Sequence, residues 1–139
     1  SPHFSLHEFG LSDEKARKRG LDVGAEYPAE WIESRLKPLC AALEIVRAEF
    51  GGKPVRVISG YRPLAYNRKL GSDDTSQHVQ GRAADFQIAG VAPKAIWDRM
   101  LALRHVGRIE IGGAGVYDEF VHVDVRGGSL HTWDERTRK

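Results

Sequence analysis

Three side chains with metal-binding chemistry stand in an ordered pattern. His78 and Asp85 lie in Ser76-Gln77-His78-Val79-Gln80-Gly81-Arg82-Ala83-Ala84-Asp85, and His122 closes Glu119-Phe120-Val121-His122. Two imidazoles and one carboxylate supply three N/O ligands. A tetrahedral Zn2+ held by three protein ligands keeps a fourth position for water, which separates a catalytic zinc from a structural one. Such a site turns water into a nucleophile near neutral pH. Glu119, three residues before His122, is placed to take the proton. Convergence of these four groups would make the protein a hydrolase.

The ligands need elements that aim them at one point. In Ala83 to Ile88 the apolar residues Ala84, Phe86 and Ile88 share one strand face, so Asp85 and Gln87 share the other. From Phe120 to Val125, Val121, Val123 and Val125 form the core face, so His122 and Asp124 point the opposite way. If the two strands are neighbours, Asp85 and His122 stand on the same side of the sheet. His78 arrives from the preceding loop, and Gly81 lets that loop fold back. Glu119 is an odd number of residues from His122, so it works only from a turn or a bulge. Asp118 has matching parity and is the rival base. Asp124 has three readings: it orients a ligand from behind, binds a substrate amine, or is exposed.

Around these residues the chain divides in two. Residues 1–52 read as a helical N-terminal segment. Ser5-Leu6-His7-Glu8 matches a capping box, and Ser12-Asp13-Glu14 starts a second short charged turn that Gly20 can stop. Pro28 opens a longer helix to Phe50, with Ile32, Leu36, Leu39, Leu43, Val46 and Phe50 as its buried stripe. Pro38 should kink or split it. Residues 53–127 carry the motifs. Strands are expected at Val55 to Ser59, Ala83 to Ile88, Arg108 to Ile111 and Phe120 to Val125. Short helices are expected between Arg62 and Leu70 and from Pro93 to His105. Gly112 to Gly115 reads as a hairpin-like turn. Helices first and strands after predict an α+β fold around a mostly antiparallel sheet, with residues 1–139 as a single domain.

A further motif ties these pieces to a known pattern. Ser59-Gly60-Tyr61-Arg62-Pro63 followed by Tyr66-Asn67 resembles the S-G-[YF]-R-x-x-x-x-N segment of the zinc D-Ala-D-Ala carboxypeptidase family. Ser76, His78, Gly81, Ala83 and Asp85 fill each fixed position of that family's S-x-H-x-x-G-x-A-x-D motif, and Phe120 to Asp124 is similar to its final zinc-ligand strand. The likeness runs from about Val55 to Arg126. It implies the Hedgehog/DD-peptidase fold, with Zn2+ on His78, Asp85 and His122. It implies Glu119, rather than Asp118, as the base. It places Arg62 beside the substrate, stabilising an oxyanion or a carboxylate, and Ser76 in the same pocket. Some relatives carry H-x-H at the last ligand where this chain has Asp124, which bears on substrate preference. The implied activity is hydrolysis of peptidoglycan stem peptides by a D-Ala-D-Ala carboxypeptidase. The alternatives are an L-alanyl-D-glutamate endopeptidase of phage-lysin type and a zinc-bearing binding module without turnover. A metal-independent structural domain is a third, more distant possibility.

Composition narrows the classes. Of 139 residues, 41% are hydrophobic and 29% charged, as in ordinary globular domains, and net charge is only +2 with both signs interspersed. Nucleic acid is therefore not an expected partner. No apolar run approaches a membrane span. A monomer in the cell envelope, or a phage product acting there, is expected. The lone Cys40 sits among apolar residues at helical spacing and reads as a buried, inert thiol.

Overall fold

The computed structural model describes residues 1–138. Five strands form one sheet in the order β1-β2-β4-β3-β5: β1 Val55–Ser59, β2 Ala83–Ile88, β3 Gly113–Val116, β4 Val121–Asp124 and β5 His131–Asp134. All neighbouring pairs are antiparallel except β3 and β5, which run parallel. The α+β fold with a mostly antiparallel sheet is therefore as expected.

One sheet face is apolar and carries the core. Ala84, Phe86 and Ile88 of β2 join Val121 and Val123 of β4 and Ala114 and Val116 of β3, all buried. Two helices, α2 (Lys37–Glu49) and α4 (Pro93–His105), cover them with Leu39, Leu43, Val46, Ile96, Met100 and Leu103. The split anticipated at Pro38 is real. The chain runs as a 3-10 turn at Ala29–Trp31 and a π turn at Ile32–Leu36, and α2 starts at Lys37 with Pro38 in its first turn. There a missing N–H costs the helix little.

The N-terminal segment buttresses the motif-bearing core. The 3-10 turn Leu6–Phe9 starts with the expected capping box, Ser5 N–H donating to Glu8 at 2.9 Å. Phe9 is fully buried, and its carbonyl accepts the Tyr61 N–H at 2.7 Å. The next helix, α1 (Asp13–Lys18), packs Ala16 with Leu11 and Tyr66 of α3 (Leu64–Lys69).

Two expectations fail. Arg108 to Ile111 is not a strand: Ile109 and Ile111 are buried, but the segment is irregular. The glycine run expected to turn is instead β3. Its glycines stand where other side chains cross the sheet. A Cβ on Gly113 would lie 2.2 Å from Asp124 Oδ2, and one on Gly115 would lie 2.2 Å from Trp133 Nε1. Glycine inside a strand marks such close approaches. The tail also contains an unexpected strand, β5. No described helix is long and apolar enough to cross a membrane.

Candidate metal centre

The second sheet face carries the polar residues. Asp85 on β2 and His122 on β4 are direct cross-strand partners, so their side chains emerge together, as strand parity requires. Asp85 is also paired with Ser59 across an irregularity in β1 between Val57 and Ser59. That bulge brings Ser59 to the site, where its Oγ accepts from Arg62 Nε at 3.0 Å.

His78 comes from the loop before β2, which the rest of the fold clamps. Gly81 has φ +69°, a left-handed conformation, and a Cβ there would meet Trp31 at 2.7 Å. Its carbonyl accepts from Tyr27 Oη at 2.6 Å, and the Gln80 carbonyl accepts from Arg35 at 2.7 Å. Ser76 Oγ accepts the His78 N–H at 3.2 Å, and the Arg62 N–H donates to the His78 carbonyl at 3.1 Å.

The three donor groups meet. One ligand atom each from His78, Asp85 and His122 lies within 4.8 Å of the others, and all three residues are buried. His78 Nε2 is 3.1 Å and His122 Nδ1 is 3.0 Å from Asp85 Oδ1. The outer nitrogens set the tautomers. His78 Nδ1 lies 2.8 Å from the Gly60 carbonyl, which can only accept, so Nδ1 carries the proton and Nε2 a lone pair. His122 Nε2 lies 2.8 Å from Asp124 Oδ2, so Nδ1 is its free nitrogen. A backbone carbonyl behind one imidazole and a carboxylate behind the other is how metal-ligating histidines are held. The donor set and its backing fit Zn2+.

The two imidazoles are pushed in opposite directions. Burial alone would raise Asp85, but the neighbouring His78 and His122 imidazoles hold its carboxyl well below the usual range. Burial lowers His78, which favours the neutral ring a metal needs. Burial also opposes charge on His122, but the Asp124 and Asp85 carboxylates beside it outweigh this and raise it, toward the charged ring whose proton a bound metal would displace.

Arg62 faces the same cleft. Its NH2 donates to Asp85 Oδ2 at 3.2 Å and its NH1 to Asn67 Oδ1 at 3.3 Å, so the guanidinium is fixed beside the three donors. Ser76 also lines this cleft, whose volume is about 500 Å³. Asp124 does not line it, which corrects the substrate-binding assignment. It is fully buried, and its carboxylate is spent on His122 and on Arg126 at 2.8 and 2.7 Å.

Glu119 does lie in a turn, closed by the Tyr117 N–H on the Phe120 carbonyl at 3.0 Å. Its side chain is exposed and lines a neighbouring cleft with Arg56, Gln87 and Asp118, so the structure does not bring it to the three donors. Asp118 is tied to the tail, accepting from Thr137 N and Oγ1, each at 2.9 Å. Trp133 and Tyr117 also line the cleft; from sequence Trp133 reads equally as an aromatic wall over a cleft and as cover for the core edge, and nothing marks Tyr117.

Comparison with known proteins agrees with this geometry. The family model for peptidase M15 matches residues 2–124, and the chain belongs to that family. It is 39% identical over 88 residues to the peptidoglycan L,D-endopeptidase MepK of Escherichia coli, covering 58% of this chain and 44% of that protein. It is 32% identical over 91 residues to the zinc D-Ala-D-Ala carboxypeptidase of Streptomyces albus G, covering 66% of this chain and 34% of that one. The chain thus spans less than half the length of these relatives.

Proposed function

We propose that this chain is a zinc metallopeptidase that hydrolyses stem-peptide bonds of peptidoglycan, working as one domain in the cell envelope. The observation that carries this reading is the meeting of His78, Asp85 and His122, with each imidazole's outer nitrogen already engaged. Zinc, when held there, supplies Lewis acidity: it makes water nucleophilic near neutral pH and polarises the scissile carbonyl. The chain supplies the rest. Arg62, held by Ser59, Asn67 and Asp85, presents fixed positive charge to a developing oxyanion or to a substrate carboxylate. Ser76 offers its hydroxyl proton to the substrate while its oxygen caps the His78 turn.

Glu119 is the proposed proton acceptor. Its carbonyl accepts from Gln87 Nε2 at 2.8 Å, and Gln87 follows Asp85 by two residues on the same strand face. The turn therefore hangs roughly 7 Å along the strand from Asp85. This role requires its side chain to rotate from the neighbouring cleft toward the donors.

The bond cleaved is read in two ways. A D-Ala-D-Ala carboxypeptidase follows from the motifs. An L,D-endopeptidase is favoured by the higher identity to the relatives of that name. Defined muropeptides digested and resolved by mass spectrometry separate the two by the fragment released. Glu119→Gln should keep zinc and lose most turnover; full turnover would remove Glu119 from the mechanism. His122→Ala should lose zinc itself, and retention of one equivalent by elemental analysis would sink the metal assignment.

A further inference from the structure

We propose that Trp133, on β5, is a positioning residue for the metal centre: its indole holds the His122 ring against Asp85 and walls the cleft opposite Arg62. This assignment rests on the metal-centre reading above. It concerns a strand that lies beyond the family-matched residues 2–124.

The sheet register sets the contact. Asp85, His122, Gly115 and Trp133 form one row across β2, β4, β3 and β5. Gly115 stands between the histidine and the tryptophan and has no side chain to separate them. The indole lies over it: a Cβ there would meet Trp133 Nε1 at 2.2 Å and Cε2 at 2.4 Å. The Trp133 and His122 ring centroids are 5.0 Å apart, and on its other side His122 meets the His78 ring at 5.1 Å. The imidazole is therefore held between two rings, and the indole fills the space into which it would otherwise swing.

The indole is itself fixed. Its Nε1–H donates to Tyr117 Oη at 2.9 Å, and the Arg126 guanidinium carbon lies 5.7 Å from the ring. Backbone bonds pin β5 at both ends: the His131 N–H donates to the Gly112 carbonyl at 3.0 Å and the Glu135 N–H to the Val116 carbonyl at 2.8 Å. Rigid support of this kind preserves ligand geometry, and loss of partners behind a metal ligand weakens affinity measurably.

The test is zinc affinity, measured by competition with a chromophoric chelator on Trp133→Ala, Trp133→Phe, Gly115→Ala and the Trp133→Ala/Gly115→Ala pair. Trp133→Ala should weaken zinc binding roughly 10-fold. Trp133→Phe, which keeps a ring over Gly115, should recover most of it. Gly115→Ala should weaken zinc binding by displacing the indole, and should add nothing once Trp133 is gone. Zinc affinity unchanged in Trp133→Ala overturns the proposal. So does a Gly115→Ala penalty that is equal in both backgrounds, since that is a strand defect. If the unsubstituted protein binds no zinc, the metal centre fails and this proposal with it. If it binds zinc and Trp133→Ala binds it equally, only the Trp133 assignment fails.

Discussion

Asp124→Asn changes one atom at the back of the site. The Asp124 carboxylate accepts from His122 Nε2 at 2.8 Å and from Arg126 Nε and NH2 at 2.8 and 2.7 Å, in full burial. Asparagine keeps one acceptor oxygen. If that oxygen serves His122, the new NH2 faces the donors of Arg126; if it serves Arg126, the NH2 faces the His122 N–H. Removing one partner of a buried ion pair costs about 3–5 kcal/mol. The Arg126 side chain is 26% exposed and regains water, so the lower end applies. For a chain of this length, that is a fall in melting temperature of roughly 10 °C. Zinc affinity should drop 10- to 100-fold, or about 1.4–2.7 kcal/mol, because the imidazole loses the charge that orients it and raises its basicity. Chelator competition gives the affinity, and thermal melts of the metal-free protein give the stability. A folded Asp124→Asn protein with unchanged zinc affinity would refute the reasoning that Asp124 acts through His122.

Three further outcomes are expected. Gly81→Ala should destabilise by roughly 3 kcal/mol, since a left-handed φ and the Trp31 contact both oppose a side chain; chemical denaturation reads this, and a loss below 1 kcal/mol would contradict the tight turn. Metal-free protein should lose stability in acid. Burial opposes charge on Asp85 and Asp124, but their histidine and arginine partners hold both folded carboxyls below the ordinary value of 3.8. The stability they contribute is therefore complete above that value and drains away as pH falls beneath it, which melts across an acid series will show. Cys40 should resist thiol reagents at neutral pH until the protein unfolds. Burial pushes its thiol up to about 11, and the side chain packs under the N-terminal segment.

Two of the three candidate metal donors, Asp85 and His122, were legible because they obey strand parity. Alternating apolar residues fixed which faces of β2 and β4 were buried, and Asp85 and His122 followed as the outward pair. The bounds of β1, β2 and α4 were equally plain, from β-branched runs and from Pro93. The strand β3 was not legible because Gly112 to Gly115 has the composition of a turn. Its glycines answer to Asp124 and Trp133, side chains from other strands, and local sequence does not show what crosses above. The polar tail hid β5 for a related reason: an edge strand half in solvent has little apolar alternation to show. Ile109 and Ile111 misled in the other direction, being buried without joining a ladder. Asp124 had three readings from sequence, and only the packing of Arg126 against it selects among them.

The two oxygens of Asp85 look opposite ways, one to the histidines and the other to Arg62. An acid divided like this would offer a cation a single oxygen. Its negative charge is also already balanced by the guanidinium, as Asp124's is by Arg126. With neutral imidazoles the resident charges would cancel, so a divalent ion held there would bring its full double charge to the cleft uncompensated. The cleft would then attract whatever arrives negative, whether the carboxylate end of a peptide or the oxygen of a carbonyl under attack.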